Sequence, residues 1–423
     1  MLIDFSVKNY KCFKDWNTLS METGERLRKF AASNTLTSRT GKLLKNVILF
    51  GPNGSGKTNF MQAIYSLFRL IKSPTSDLSE ELPYVPNALC AGCPEDPTSY
   101  RITFEMKGVI YCYELEHDRN QILFEKLTYW KNQTEVVHFE RNSDQNQFDV
   151  PESLKDMTKR TRANRLFLSV AQDLNDFHSS NVMSWFNDVL LFYNVLPKQQ
   201  RFGLLSDPMM KEKMLKFLNY CGIDVVDLVV RTREINTDET FRKAMQLLIP
   251  NESSLLRESI EMEELFILYN RYHQSGEVAG TAEIPFENES SGTRKLIMIG
   301  FMLISQEHPR VMLMDEFDIA LHLELSKALV KVINSPENKN QMIMSSHTLE
   351  LMDCDLRVDQ IYLMEKDFKG SSSVYSLFDF EDLPSVARSD IKFAKRYING
   401  QFGAMPTIES DEISKVLFGG VDE

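Results

Sequence analysis

The stretch Gly51-Pro52-Asn53-Gly54-Ser55-Gly56-Lys57-Thr58 decides the fold class of this 423-residue chain. It fits the pattern G-x-x-x-x-G-K-[ST], whose glycines let backbone N–H groups curl around phosphate oxygens. In this pattern Lys57 reaches the β and γ phosphates, and the Thr58 hydroxyl ligates Mg²⁺. A short apolar run ending at Phe50 predicts a buried strand before the loop, and residues 58–71 carry apolar side chains at helical spacing. Strand, glycine-rich loop and helix together predict an α/β phosphate-binding fold.

Two further stretches end apolar strands in polar residues. Met312-Leu313-Met314-Asp315-Glu316 places Asp315 to hold Mg²⁺, directly or through water, and Glu316 beside an attacking water as general base. The alternative is a strand whose acidic end meets solvent. Residues 341–347 form a similar stretch, in which His347 would contact the γ-phosphate and help to hold Glu316 and its water. For a lone histidine at a strand end, a structural role is the alternative.

Periodicity divides the chain into regions of different character. Alternating residues 101–106 and 109–115, joined by Lys107-Gly108, predict a hairpin in a strand-rich region. Residues from 181 onward are rich in Leu, Met and Phe at helical spacing, which favours a mostly helical lobe too short for a long coiled coil. The predicted domains are an N-terminal half with the phosphate loop and the strand-rich region (1–180), a helical lobe (181–284), a C-terminal half of alternating strands and helices (285–402) and an acidic tail (403–423).

Charge and hydropathy exclude several classes of protein. The net charge of −12 and pI of about 5.3 exclude a chain that binds nucleic acid over its whole surface. One basic segment, Lys155–Arg165, is a solvated helix face or a contact for DNA, RNA or a partner. The longest apolar run, Leu296–Ile304, is too short to span a bilayer, and residues 1–13 lack a cleavable apolar core. We therefore expect a cytoplasmic protein with no membrane contact.

The six cysteines show no spacing typical of a disulfide framework, which favours a reducing compartment. Cys90 and Cys93 form a C-x-x-C beside Pro94, but no second ligand pair completes a zinc site. This pair is interpreted as coincidence or a loop turn.

Two more stretches carry a resemblance to a known family. Val7-Lys8-Asn9-Tyr10-Lys11-Cys12-Phe13 is similar to the opening "IKNFRSF" of one group of ATPases, and residues 289–295 resemble its degenerate signature S-x-G-T. With the phosphate loop, Asp315-Glu316 and His347, the chain resembles the ABC-type ATPases of the SMC, RecF and OLD branch. The resemblance implies an ABC-type P-loop ATPase head with a mixed β-sheet core, a β-rich subdomain and an inserted lobe.

The resemblance also implies roles for particular residues, with ATP and Mg²⁺ as cofactors. Residues 317–322 stand at the D-loop position, and Gln172 is the candidate Q-loop glutamine, with an ordinary helix-start glutamine as the alternative. The implied catalytic residues are Lys57, Glu316 and His347. The implied metal ligands are Thr58, Asp315 and Gln172. The implied nucleotide-binding residues are Asn53, Gly54, Ser55, Gly56, Lys57, Thr58, Asn59, Gln172, Ser290 and Gly292.

The implied partners follow from the same resemblance. A homodimer or higher homo-oligomer would hold ATP between the phosphate loop of one copy and Ser290 and Gly292 of the other. Residues 397–403 also resemble the C-terminal end of single-chain ATPases from abortive-infection and phage-defence operons, the AbiL/RloA and PARIS types. This likeness implies a defence switch that controls a separate nuclease or toxin. The alternatives are a RecF-like DNA-clamping ATPase and a P-loop kinase or plain regulator, the last disfavoured by Ser290-Ser291-Gly292 and His347.

Overall fold

A computed structural model of the chain describes residues 1–24, 27–75, 77–192, 202–236, 259–304, 308–380, 392–404 and 409–418. Its strands are β1 (Leu2–Lys8), β2 (Asn17–Ser20), β3 (Thr35–Ser38), β4 (Gly41–Leu44), β5 (Asn46–Phe50), β6 (Thr98–Met106), β7 (Val109–His117), β8 (Ile122–Lys131), β9 (Thr134–Asn142), β10 (Gln147–Asp149), β11 (Leu190–Phe192), β12 (Asp227–Asn236), β13 (Ser259–Tyr272), β14 (Val278–Pro285), β15 (Val311–Met314), β16 (Gln341–Ser345), β17 (Ile361–Lys366) and β18 (Ser372–Ser376). Its α-helices are α1 (Lys57–Lys72), α2 (Lys155–Thr158), α3 (Phe167–Asp173), α4 (Phe177–Ser184), α5 (Pro208–Tyr220), α6 (Ser291–Ile304), α7 (Leu323–Ile333), α8 (Phe393–Ile398) and α9 (Ser410–Phe418). Mixed sheets and helices confirm the predicted α/β class.

The described chain forms two compact units. The first comprises residues 1–190, 309–318 and 326–423, and the second comprises residues 191–308 and 319–325. No helix among the described residues combines the length and apolar character needed to cross a membrane.

A largely parallel sheet organises the first unit. Five of the six strands of this sheet run in the order β15-β16-β5-β17-β18, with β18 antiparallel to β17, and the sixth strand is β11. Every residue of β5 is buried, as the apolar run predicted. The carboxyl ends of parallel strands meet at the same edge of a sheet. The phosphate loop after Phe50, the carboxylates after Met314 and the polar residues that end β16 therefore lie along one edge.

An antiparallel sheet completes the first unit, in the order β10-β9-β8-β7-β6-β1-β2. The predicted hairpin is confirmed as β6 and β7, joined by Lys107 and Gly108, which both have positive φ. Helix α1 packs against this sheet through Phe60, whose ring meets Phe5 and Phe13 edge-on at 5.6 and 5.7 Å. All three rings are fully buried. This contact fixes the first turn of α1 and with it the phosphate loop.

The prediction of a mostly helical lobe is wrong for the described part of residues 181–284. The second unit contains α5 but also a three-stranded antiparallel sheet in the order β12-β13-β14. In β13 the buried Leu265 and Ile267 alternate with less buried neighbours, which is the period of a strand. The many apolar residues in this region made the alternation hard to recognise in the sequence and favoured a helical interpretation. Residues 193–201 and 237–258 of the predicted lobe lie outside the described residues.

The prediction for Cys90 and Cys93 needs a correction. The two form a disulfide, and their Cα atoms lie 5.3 Å apart. The pair does lie in a loop turn, because a 3₁₀ turn begins at Cys93. A bond from the N–H of Cys93 to the carbonyl oxygen of Cys90 (3.2 Å) closes the turn between them, and the two Cα atoms have a separation that a disulfide accepts. The C-x-x-C spacing alone did not reveal this.

Candidate active site

The edge of the parallel sheet in the first unit holds a cleft of about 430 Å³. Its lining residues are Asn53, Gly54, Gly56, Lys57, Thr58, Asn59, Glu316 and His347. All eight were singled out from the sequence, and they come from three separate stretches of the chain. The fold therefore brings the phosphate loop, one of the two strand-end carboxylates and the predicted histidine into one cavity.

The backbone of the phosphate loop explains why its glycines are needed. Gly54 has φ 76° and Gly56 has φ 108°, a left-handed region that side chains rarely adopt. A Cβ built at Gly56 would also lie 2.8 Å from Cys12 Sγ, so no larger residue fits there. The side chain of Lys57 folds back and donates to the carbonyls of Gly51 (2.6 Å) and Pro52 (3.0 Å). The backbone of the loop is thus curled, and the ammonium of Lys57 is bonded to its first two carbonyl groups.

Two opposing influences act on the pKa of Lys57. Burial lowers the pKa of its ammonium to about 8, while the nearby carboxylates of Asp315 and Glu316 raise it. Burial is the larger influence because it removes the ammonium from water. Lys57 therefore stays mostly cationic at pH 7 but loses its proton more readily than an exposed lysine.

Ser345, at the end of β16, holds the two carboxylate residues in place. Its hydroxyl donates to Asp315 Oδ1 and accepts the backbone N–H of Glu316 at 2.7 Å. Glu316 has φ 49°, a left-handed conformation that costs a non-glycine residue roughly 1–3 kcal/mol. Strain of this kind persists where surrounding bonds over-determine it, as the bond from Ser345 does here. The sequence analysis did not identify Ser345 as a site residue. Its position at the end of a buried strand, two residues before His347, could have indicated such a role.

The histidine of the cleft follows a second serine, Ser346. Its hydroxyl donates to Asp318 Oδ2 at 2.8 Å and accepts the N–H of Thr348 at 2.9 Å. These bonds hold the residues on either side of His347. Burial and then the charge of Lys57 lower the pKa of His347 below its usual value, against the opposing carboxylates. The imidazole is therefore neutral at pH 7 and able both to donate and to accept a hydrogen bond.

Three other predicted residues lie elsewhere. Gln172 is half-buried on α3 and is not among the residues that line the cleft. Ser290 and Gly292 belong to the second unit, where Ser290 Oγ accepts the N–H of Thr293 at the start of α6. A Cβ built at Gly292 would lie 2.6 Å from the carbonyl oxygen of Ala320, so a glycine is required there. Capping and close packing are the observed local roles of this stretch.

The cleft fits a magnesium-bound triphosphate. Ser55 Oγ is buried in the loop with no hydrogen-bond partner among the described residues, and a phosphate oxygen would satisfy it. The N-terminus of the 16-residue helix α1 adds partial positive charge, since its first N–H groups are unpaired within the helix. The Thr58 hydroxyl and the Asp315 carboxylate are the hard oxygen ligands that Mg²⁺ prefers.

The basic segment Lys155–Arg165 is engaged within the protein only in part. Lys155 pairs with Glu152, Arg162 donates to the carbonyl of Thr75 at 2.6 Å, and Arg165 pairs with Asp173 at 2.7 Å. Lys159 and Arg160 are exposed. Three cations of the segment, Lys155, Lys159 and Arg160, are therefore exposed, and a contact with DNA, RNA or a partner stays a prediction.

Comparison with known proteins gives one family. The family described as "AAA domain, putative AbiEii toxin, Type IV TA system" matches residues 47–199 and 263–353. This match covers more than half of the chain and includes the phosphate loop, Asp315, Glu316 and His347. No curated protein matches the chain at a significant level.

Solved structures give more distant similarities. An SMC head domain from Thermotoga maritima is 14% identical, with 89% of this chain and 98% of that chain covered and a TM-score of 0.37. A Pyrococcus furiosus Smc head domain with an extended coiled coil, bound to the C-terminal domain of ScpA, is 12% identical, with 89% and 96% covered and a TM-score of 0.39.

Proposed function

The chain belongs to the AAA-domain family that matches it, and from this premise we propose that it hydrolyses ATP in the cleft formed by the phosphate loop, Glu316 and His347. The observation that carries the proposal is the meeting of these residues from three stretches of the chain. Release of inorganic phosphate from ATP with Mg²⁺ by the purified full chain tests it. A chain that releases no phosphate above the rate of a Lys57→Ala variant would contradict it.

Binding relies on the phosphate loop. Backbone N–H groups of residues 54–58 and the Ser55 hydroxyl would donate to phosphate oxygens, and Lys57 would exchange its two carbonyl partners for the β and γ phosphates. When bound, Mg²⁺ would be held by Thr58 and Asp315 and would neutralise charge on the phosphates. Ser345 positions Asp315 for this task through its hydroxyl.

Hydrolysis relies on the strained backbone at Glu316. The bond from its N–H to Ser345 fixes the backbone of this residue, and its carboxylate would accept a proton from the attacking water. Neutral His347 would donate a hydrogen bond to the γ-phosphate or to the water. Phosphoryl transfer needs mainly positioning and charge neutralisation, and these residues supply both.

The affinity for ATP is expected to fall as pH rises above about 8. A bound triphosphate favours the ammonium form of Lys57 and raises its pKa above the value of about 8 in the free protein. Between the two pKa values, binding must take up a proton, so affinity falls up to roughly tenfold per pH unit. Titrations with an ATP analogue from pH 7.5 to 9.5 measure this slope. A Lys57→Arg variant keeps its charge and should show a flat profile; a flat wild-type profile would contradict the role of Lys57.

We also propose that two copies close over ATP, with Ser290 and Gly292 of one copy facing the γ-phosphate held by the other. Ser290 is exposed at the N-terminus of α6. The partial positive charge of this helix end would attract an anion. A Ser290→Arg variant is expected to bind ATP as a monomer but to lose ATP-dependent association, because the bulky side chain would keep the surfaces apart. Sedimentation with and without the imido analogue of ATP measures this. Undiminished association in the variant would refute the shared site.

The cellular role we propose is that of a switch in bacterial anti-phage defence that controls a separate toxic effector. The matching family, described as "AAA domain, putative AbiEii toxin, Type IV TA system", supports a defence setting. Co-purification with the products of neighbouring genes tests it, and capture of a nuclease or toxin is the expected result. Hydrolysis stimulated by DNA, with no such partner, would instead favour a DNA-clamping ATPase.

A further inference from the structure

The turn between β17 and β18 presents an aromatic ring to solvent. Phe368 in this turn is 94% exposed. The turn itself is well bonded: Asp367 N donates to Ser371 O (2.9 Å), Gly370 N to Asp367 O (3.0 Å) and Ser371 N to Asp367 Oδ1 (2.7 Å). The backbone of the turn is therefore ordered, and the ammonium of Lys369 lies 5.4 Å from the centroid of the Phe368 ring. Burial of the ring contributes almost nothing to the stability of the fold.

This turn lies beside the phosphate loop. Strand β17 runs parallel to β5 with Leu363 opposite Phe50, so the turn and the phosphate loop leave the sheet at the same edge. At the far end of the turn, Ser372 Oγ lies 3.0 Å from a Cβ built at Gly56. Phe368 is four residues from Ser372, which limits their separation to about 14 Å even for an extended chain. A nucleotide whose phosphates occupy the loop could therefore bring its base to Phe368.

The loop that contacts this turn carries two more exposed apolar side chains. Leu89, 66% exposed, packs against Gly370, since its Cδ1 would collide with a Cβ there. Val85, 47% exposed, accepts the N–H of Lys11 through its carbonyl oxygen at 2.8 Å. Lys11 precedes Cys12, whose carbonyl oxygen accepts the N–H of Ser372 at 2.8 Å. We call Val85, Leu89 and Phe368 the apolar shelf.

We propose that the apolar shelf binds the base of the nucleotide, with Phe368 stacked on its face. The inference rests on the proposed function, because the phosphates must occupy the loop for the base to reach the shelf. The observation behind the inference is that the apolar shelf and the phosphate loop lie at the same edge of the sheet. Stacking on an aromatic side chain tolerates every base, since each has a π-face. The shelf therefore adds affinity for the nucleoside and does not select adenine over guanine.

Titration calorimetry of the full chain with two probes separates the base from the phosphates. The probes are the magnesium complexes of the imido analogue of ATP and of inorganic tripolyphosphate. Phe368→Ala is expected to lower the affinity for the imido analogue of ATP by about 5- to 150-fold, the range that corresponds to loss of one base–aromatic stack. The affinity for tripolyphosphate should stay unchanged, and Phe368→Trp should restore binding of the analogue. Phe177→Ala, which truncates another exposed phenylalanine on α4, is the matched control and should bind both probes normally.

Each outcome decides between the two proposals. If Phe368→Ala binds the analogue as tightly as the wild type, Phe368 is one more singly exposed apolar residue, and the inference is wrong. Equal weakening of both probes would also overturn it, because it would indicate a distorted phosphate loop. A wild-type chain that binds neither probe would overturn the proposed function and this inference with it.

Discussion

Glu316→Gln is expected to lower the rate of ATP hydrolysis by about 10²–10⁴-fold, the contribution typical of a positioned general base. The substitution keeps the shape of the side chain and removes its ability to accept a proton from water. The bond from its N–H to Ser345 is a backbone bond, so the left-handed conformation should survive. The affinity for ATP with Mg²⁺ should stay close to that of the wild type. Phosphate release and calorimetric titration measure the two quantities.

The same variant should also accumulate as an ATP-bound dimer, because the step that loosens the dimer is blocked. Glu350→Gln is the matched control: Glu350 is an exposed carboxylate three residues after His347. The control should hydrolyse ATP at the wild-type rate. Hydrolysis by Glu316→Gln at that rate would mean that another group accepts the proton.

Glu125→Ala is expected to lower the free energy of unfolding by about 3–5 kcal/mol, as loss of one partner from a buried charged network does. Glu125 is completely buried on β8, where its carboxylate accepts the N–H groups of Phe167 (2.7 Å) and Leu168 (2.8 Å) and the hydroxyl of Tyr113 (2.9 Å). Alanine would leave these donors without a partner. It would also remove the electrostatic attraction between this carboxylate and the buried guanidinium of Arg141.

Chemical denaturation monitored by circular dichroism measures this loss. Glu135→Ala is the matched control, because Glu135 is exposed on the neighbouring strand β9 and should change stability by no more than about 0.5 kcal/mol. A loss below about 1 kcal/mol for Glu125→Ala would show that the network contributes little. The start of α3, which carries Gln172, depends on this carboxylate for its position.

Sequence reasoning located the elements whose signals are local. The phosphate loop needs a fixed string of residues, and the strands β5, β15 and β16 are short apolar runs with clear ends. The order of strands in a parallel sheet then places their carboxyl ends together, so the meeting of Lys57 and Glu316 was predictable. The roles assigned to these residues stay predictions until activity is measured.

The features that sequence reasoning missed depend on contacts between distant parts of the chain. Ser345 acts by accepting the backbone N–H of Glu316, which follows the neighbouring strand β15. The β12-β13-β14 sheet was concealed because strands rich in Leu and Phe resemble helices when apolar content outweighs alternation. The disulfide between Cys90 and Cys93 depends on the turn that joins them, and the exposure of Phe368 depends on its neighbours in space.

The central claim is that the cleft holds one magnesium-bound nucleotide per chain through Lys57. Titration calorimetry of the full chain with the imido analogue of ATP and Mg²⁺ tests it most directly. We predict saturable uptake near one equivalent per chain, abolished by Lys57→Ala. Absence of uptake at millimolar nucleotide, or equal uptake by the Lys57→Ala variant, would contradict the claim.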